Sequence, residues 1–240
     1  MSVKIGCCGF PVAKNRYYRA FSVVELQKTF YQPPKLSTVQ RWRDEAPPEF
    51  EFTLKAWQLI THQPTSPTYR RLRVVIPEDK RKNYGFFKPT DEVFFAWEKI
   101  DQICQILKAK VVVFQCPASF TPTREHKDNL KRFFSSIKRR NYHFVWEPRG
   151  EWSEKDIRDL CGELNLIWCV DPFKDRPLKM RINYFRLHGK GGYRYRYTDE
   201  DLRSLREMYS EDSLFYYMFN NVYMFEDARR LFRLFRHRKV

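Results

Sequence analysis

Short apolar runs rich in β-branched and aromatic residues recur along the whole chain, at 3–8, 23–27, 50–55, 111–115, 143–147, 167–170, 184–187 and 214–219. Runs of this length, bounded by polar and turn residues, predict eight strands. The stretches between them change period. From Asp91 to Ala109, apolar residues at Val93, Phe94, Trp97, Ile100, Ile103, Cys104 and Leu107 keep three- and four-residue spacing, which predicts an amphipathic helix. Ser37-Thr38-Val39-Gln40 has the form of a capping box opening a helix that ends near Pro47-Pro48. Thr121 followed by Pro122 reads as a cap and first helical residue. Ser153 and Thr198 each stand three residues before an acid, and a last helix is expected from about Glu226.

Strands alternating with helices argue for a parallel sheet. Eight such units in 240 residues make a (β/α)8 TIM-type barrel the expected architecture, ahead of an open doubly wound sheet. Residues 63–90 hold four prolines and no clean period, so a long irregular excursion is expected there. The segment 171–183 is too short and proline-broken for a full crossover helix. No linker or composition shift divides residues 1–240, so a single domain is expected.

A barrel places its chemistry at the carboxyl ends of its strands. The expected ends carry Glu25 and Gln27, Lys55, Gln115, Glu147 with Arg149, Asp171, Arg186 and His188, and Asn220 with Asn221. Period-two spacing puts Glu147 on the face of Val145, and His188 on the face of Arg186 and Tyr184.

In chain order these segments resemble the YecE-like family, domain of unknown function 72. The resemblance rests on Gly6-Cys7-Cys8-Gly9-Phe10, the run Val24 to Tyr31 with Gln27 in place of a usual asparagine, and Phe52 to Ala56 with Ile60-Thr61-His62. It continues through Phe114 to Phe120 with Ala118 replacing a proline, Glu147-Pro148-Arg149 with Trp152, Arg186-Leu187-His188-Gly189, and Phe219-Asn220-Asn221. It implies a TIM barrel and leaves the reaction to be argued from the site.

Charge narrows the ligand class. Forty-five Lys and Arg against 29 Asp and Glu leave a net +16, and 17% aromatic residues exclude a disordered basic tail. Lys55, Arg149 and Arg186 suit an anionic ligand, with His62, Gln115, Tyr193, Asn220 and Asn221 as further binding residues. Glu25, Glu147, Asp171 and His188 suit acid and base roles. A single Mg²⁺ or Mn²⁺ on Glu25, Glu147 or Asp171 is the metal such oxygens would accept, and the bland alternative is an internal salt-bridge network. Tyrosines and arginines interleave from Tyr193 to Tyr197, which suits single-stranded DNA or RNA, or a packed lid. Arg229, Arg230, Arg233, Arg236, Arg238 and Lys239 crowd the last helix, where cations also complement the helix dipole.

Three functions remain. The first is an enzyme acting on a phosphate-containing substrate, with a nucleic-acid phosphodiester hydrolase as the candidate. The second is a sugar or sugar-phosphate isomerase or lyase, and the third a nucleic-acid-binding protein without turnover. Six cysteines without a C-x-x-C pair read as buried thiols. No apolar run approaches the ~18 residues of a membrane span, and the start lacks a signal peptide's apolar stretch. A cytoplasmic protein is expected, without membrane partners.

Overall fold

A computed structural model describes residues 3–178 and 180–236. His237, Arg238 and Lys239 lie outside the described residues. Strands are β1 (Val3–Cys7), β2 (Val23–Leu26), β3 (Glu51–Lys55), β4 (Val111–Gln115), β5 (His143–Glu147), β6 (Ile167–Val170), β7 (Ile182–Leu187) and β8 (Leu214–Phe219). Helices are α1 (Lys14–Ala20), α2 (Lys28–Tyr31), α3 (Leu36–Glu45), α4 (Gln58–Thr61), α5 (Asp91–Leu107), α6 (Arg124–Ser136), α7 (Glu154–Glu163), α8 (Asp199–Glu207) and α9 (Met224–Arg236). Strand order is β1 through β8 in a closed barrel. The ladders β1/β2, β1/β8, β3/β4, β4/β5, β6/β7 and β7/β8 are parallel. This is the (β/α)8 fold that the alternation predicts.

Two compact units compose the chain. One comprises Met1–Glu25, Ala46–Glu51 and Ile167–Val240, the other Leu26–Glu45 and Phe52–Leu166.

In the first unit, Tyr17 of α1 is wholly buried because its hydroxyl serves two strands. It donates to the Val23 carbonyl at 2.9 Å and accepts the Cys7 N–H at 2.7 Å. Buried main-chain groups beyond the ladder are thereby satisfied. In the second unit, Phe87, Trp97, Phe114, Phe133, Phe134 and Phe144 interlock at centroid separations of 5.0–6.4 Å. Edge and tilted contacts of this kind add about 0.5–1.5 kcal/mol per pair beyond area burial.

Several expected boundaries move. The helix expected to open at Ser37 starts at Leu36, so the apparent capping box lies inside it. The cap of α6 is Thr123 rather than Thr121: its hydroxyl accepts the His126 N–H at 3.1 Å, while the Thr121 carbonyl meets His126 Nδ1 at 2.7 Å. Two threonines spaced by two offered the same local signal, and the downstream one captures the N–H three residues on. Ser153 and Thr198 do cap α7 and α8, the latter with a reciprocal box through Asp201. Strand β7 begins at Ile182, two residues before the apolar run starts, and α9 begins at Met224. The excursion at 63–90 holds only two 3₁₀ turns, Pro67–Arg71 and Glu78–Asn83. Between β6 and β7 the described residues form turns, without a helix.

Candidate functional site

Ionisable side chains gather at the strand ends of each unit. In the first, β2 and β7 bury a charge pair. Arg186 Nη2 lies 3.0 Å from Glu25 Oε1, with the two side chains 1% and 0% exposed. Tyr184, two residues earlier on β7 and so on the same face, donates its hydroxyl to Glu25 Oε2 at 2.8 Å. Both carboxylate oxygens thus hold a donor, as a buried charge requires. Cys8 completes the cluster with its sulfur 3.8 Å from Arg186 Nη2, and burial, then the nearby Glu25 charge, raise its thiol pKa. It is no nucleophile at neutral pH.

Asp171 follows β6, and His188 follows β7. Asp171 Oδ1 accepts the Phe173 N–H at 3.2 Å, while Oδ2 accepts the His188 main-chain N–H at 3.0 Å and stands 3.6 Å from His188 Nδ1. Main-chain donors fix the carboxylate, and the carboxylate faces one nitrogen of a ring that is 21% exposed. The carboxylate lies beside Nδ1 at ion-pair distance, leaving Nε2 as the ring's other proton-exchanging nitrogen.

The loop that follows is pinned to α8 and α9. Gly189 adopts a φ of +89°, and its N–H donates to the Tyr197 hydroxyl at 2.8 Å. Tyr195 donates to Asp201 Oδ2 at 2.7 Å, and Lys190 pairs with the same carboxylate. Asp227 of α9 accepts from the Tyr197 N–H, from Asn221 Nδ2 and from Arg230 Nη1 at 3.3, 2.9 and 3.0 Å. Burial still raises the Asp227 pKa despite these donors. Asn221 also donates to the Tyr195 carbonyl at 2.8 Å, so this wholly buried amide holds the loop. Asn220 is half-buried, and its N–H continues the β7 ladder to the Leu187 carbonyl at 2.9 Å. Tyr193 is 57% exposed, and Arg194 and Arg196 are exposed beside it. The interleaved loop thus divides: Tyr195 and Tyr197 pack, and Tyr193 faces solvent with the arginines.

In the second unit, Lys55 ends β3 nearly buried. Its ammonium donates to Gln115 Oε1 at 2.7 Å and sits 3.8 Å from the centroid of the Phe30 ring. Gln115 and Glu147 are direct partners in the β4/β5 register. Arg149 donates Nε and Nη2 to Glu147 Oε1 at 3.1 and 3.0 Å, with the guanidinium 43% exposed. His62, behind α4, is buried against Phe30 at 5.0 Å and hydrogen-bonds Thr61 Oγ1 at 2.8 Å. Burial, followed by the Lys55 and Arg149 charges, pushes its pKa down to about 3. It is a neutral ring in a cationic setting.

The sequence profile described as "Protein of unknown function DUF72" matches residues 15–239. The chain belongs to the DUF72 family. Solved DUF72 structures share the fold. One from Enterococcus faecalis V583 superposes with a TM-score of 0.73 at 14% identity, covering 99% of this chain and 97% of its own. One from Thermotoga maritima MSB8 gives 0.69 at 20% identity, covering 98% and 99%. No match is found among curated proteins. The resemblance carried by seven strand-end segments is thereby borne out.

Within this DUF72 chain, each expected site residue has a place. Glu25, Asp171, Arg186 and His188 fall in the first unit's clusters, Lys55, His62, Gln115, Glu147 and Arg149 in the second's. Among the described residues no group of three or more His, Cys, Asp or Glu side chains is arranged to hold a metal ion. Glu25, Glu147 and Asp171 each already accept protein donors, so a hard cation would need them released. Tyr184 escaped selection as a site residue, although its period-two spacing with Arg186 signalled it. Asp227 escaped for want of any signal, being one of two adjacent acids in an arginine-rich helix. The expectation that the cysteines are buried thiols holds for all six. No helix among the described residues is long and apolar enough to cross a membrane.

Proposed function

We propose that this DUF72 protein is an enzyme acting on a phosphate-containing substrate, with hydrolysis of a nucleic-acid phosphodiester as the candidate reaction. The observation that carries the reading is the fixed Asp171 carboxylate 3.6 Å from His188 Nδ1. A ring oriented through Nδ1 exchanges protons through Nε2. In hydrolysis Nε2 takes the proton from the attacking water as its oxygen bonds to phosphorus. The ester P–O bond then breaks, and the departing alkoxide recovers that proton from the imidazolium. General base catalysis of this kind contributes about 10²–10⁴-fold.

Arg194 and Arg196, exposed in the loop after His188, supply cations for phosphate oxygens, since a guanidinium forks onto two oxygens. Arg186 does not: its contact with Glu25 and near-complete burial make it a partner of that carboxylate.

The test is a panel of phosphodiesters, phosphomonoesters and sugar phosphates with the full chain. His188→Ala and Asp171→Asn are expected to lower kcat by about 10²–10⁴ with little change in KM. If both variants turn over every substrate at the wild-type rate, the reading fails. Turnover confined to interconversion of sugar phosphates would replace hydrolysis by the isomerase reading.

A further inference from the structure

Helices α1 and α9, both in the first unit, enclose a recess of about 350 Å³ whose walls carry Arg16 and Arg19 from one helix and Arg229, Arg233 and Arg236 from the other. It adjoins two more. A recess of about 340 Å³ shares Arg16, Arg229 and Arg233 with it, and one of about 200 Å³ shares Arg19 and Arg236. The three adjoin through these shared walls as one groove; Glu226 and Arg196 also line the second recess and Glu49 the third, while the central one has no acid. All five arginines are exposed, and among the described residues none is ion-paired to a carboxylate.

Local helix physics does not account for this set. Positions 229, 233 and 236 recur at i, i+4 and i+7 and so form a single stripe about 10 Å long at 1.5 Å rise per residue. Arg229 stands in the first half of α9, where the dipole gives a cation no support. Arg16 and Arg19, three apart, present the facing stripe from α1. Five guanidiniums around the central recess outnumber the two acids that line its neighbours, so they repel one another, and an anionic ligand relieves that cost.

The floor is aromatic. Arg16 lies 5.0 Å from the centroid of Phe225, Arg229 5.8 Å from the same ring, and Arg236 4.7 Å from Phe232. The rings hold the guanidinium planes in place and lie beneath them rather than projecting outward. Projecting apolar side chains are what membrane docking needs, and a groove three recesses long exceeds what one phosphorylated metabolite fills.

We propose that the α1/α9 groove binds the backbone of single-stranded nucleic acid, RNA or DNA, as an extended phosphate track. Concavity selects a single strand, because a convex duplex meets only the rim. Arg196 of the loop after His188 lines one end of this groove, but binding there does not depend on turnover at His188.

Binding of labelled single strands of about 16 nucleotides, followed by fluorescence anisotropy from about 50 to 200 mM salt, tests this directly. Five phosphate contacts give an expected slope of log K against log salt of about −3.5, at about −0.7 per contact on a single strand. The triple variant Arg19→Ala, Arg229→Ala, Arg233→Ala is expected to bind about 100-fold more weakly near 0.1 M salt, with the slope reduced to about −1.4. A control removing equal charge from the second unit, Lys110→Ala, Arg132→Ala, Lys138→Ala, is expected to stay within about threefold of wild type. His188→Ala is expected to bind like wild type, which separates this groove from the proposed reaction. Four results would overturn the assignment: no binding at the lowest salt, an equal loss in the control, tighter binding of the matching duplex, or groove-dependent capture of phosphatidylserine vesicles without capture of oligonucleotides.

Discussion

His62 makes the protein acid-sensitive between about pH 6.5 and 3. Its pKa is held at about 3 in the folded chain by burial and by the Lys55 and Arg149 charges, against 6.5 for an unperturbed imidazole. Above pH 6.5 the ring is neutral in both states and costs nothing. As the pH falls below 6.5 the unfolded chain takes up a proton that the folded chain refuses, so stability declines until the folded ring is itself protonated near pH 3. Each unit of separation is worth about 1.4 kcal/mol, which gives about 2 kcal/mol lost between about pH 7 and 5. For a chain of this length that is a fall in Tm of about 4–8 °C from this one residue. His62→Asn keeps a polar group near Nδ1, opposite Thr61, and removes the titration. Urea unfolding of both proteins at the two pH values isolates the effect, since other titrating groups cancel in the double difference. The variant is expected to lose about 2 kcal/mol less than wild type over that interval. Parallel losses in the two proteins would refute the reasoning.

Two further outcomes follow from close packing and burial. Gly85 has a φ of +80°, and a Cβ there would stand 2.4 Å from the His62 carbonyl oxygen, so Gly85→Ala is strained in both backbone and packing. Circular-dichroism melts should show a loss of about 2 kcal/mol or more, and a variant within 0.5 kcal/mol of wild type would contradict the close approach. The six buried thiols, with Cys161 pushed up to about 12 by burial and Cys7 and Cys8 raised as well, should resist a thiol-specific chromophore in native buffer and react together on denaturation. Rapid labelling of any one thiol in the native protein would place it in an electropositive, accessible setting that burial excludes.

The architecture was legible because the signals that specify it are local. Period-two apolar runs marked every strand to within two residues, and Ser153 and Thr198 were readable as caps because a cap needs only a hydroxyl and the N–H three residues on. Helices α1, α2 and α4 were not legible, being too short to display an amphipathic period. Strand-end chemistry was half legible. That Glu25, Arg186 and His188 end strands followed from the pattern. That Tyr184 takes the second oxygen of Glu25 did not, because the partners are 159 residues apart and only closure of the fold introduces them. Arg186 read as a ligand cation for the same reason. The arginines of α9 read as complements of the helix dipole because their counterparts, Arg16 and Arg19, sit on a helix the pattern did not show.

Asp227 receives the Tyr197 N–H, the Asn221 amide and the Arg230 guanidinium on one carboxylate. Inheritance treats such a hub as one character. Tyr193 and Arg194, facing solvent, are open to drift one substitution at a time. Asp227, Asn221 and Arg230 are not, since losing Asp227 strands the Asn221 and Arg230 donors, and losing either donor leaves the buried carboxylate short of a partner. Among descendants of this chain these three positions should vary as a set, and the loop they fasten should keep its length even where its side chains diverge.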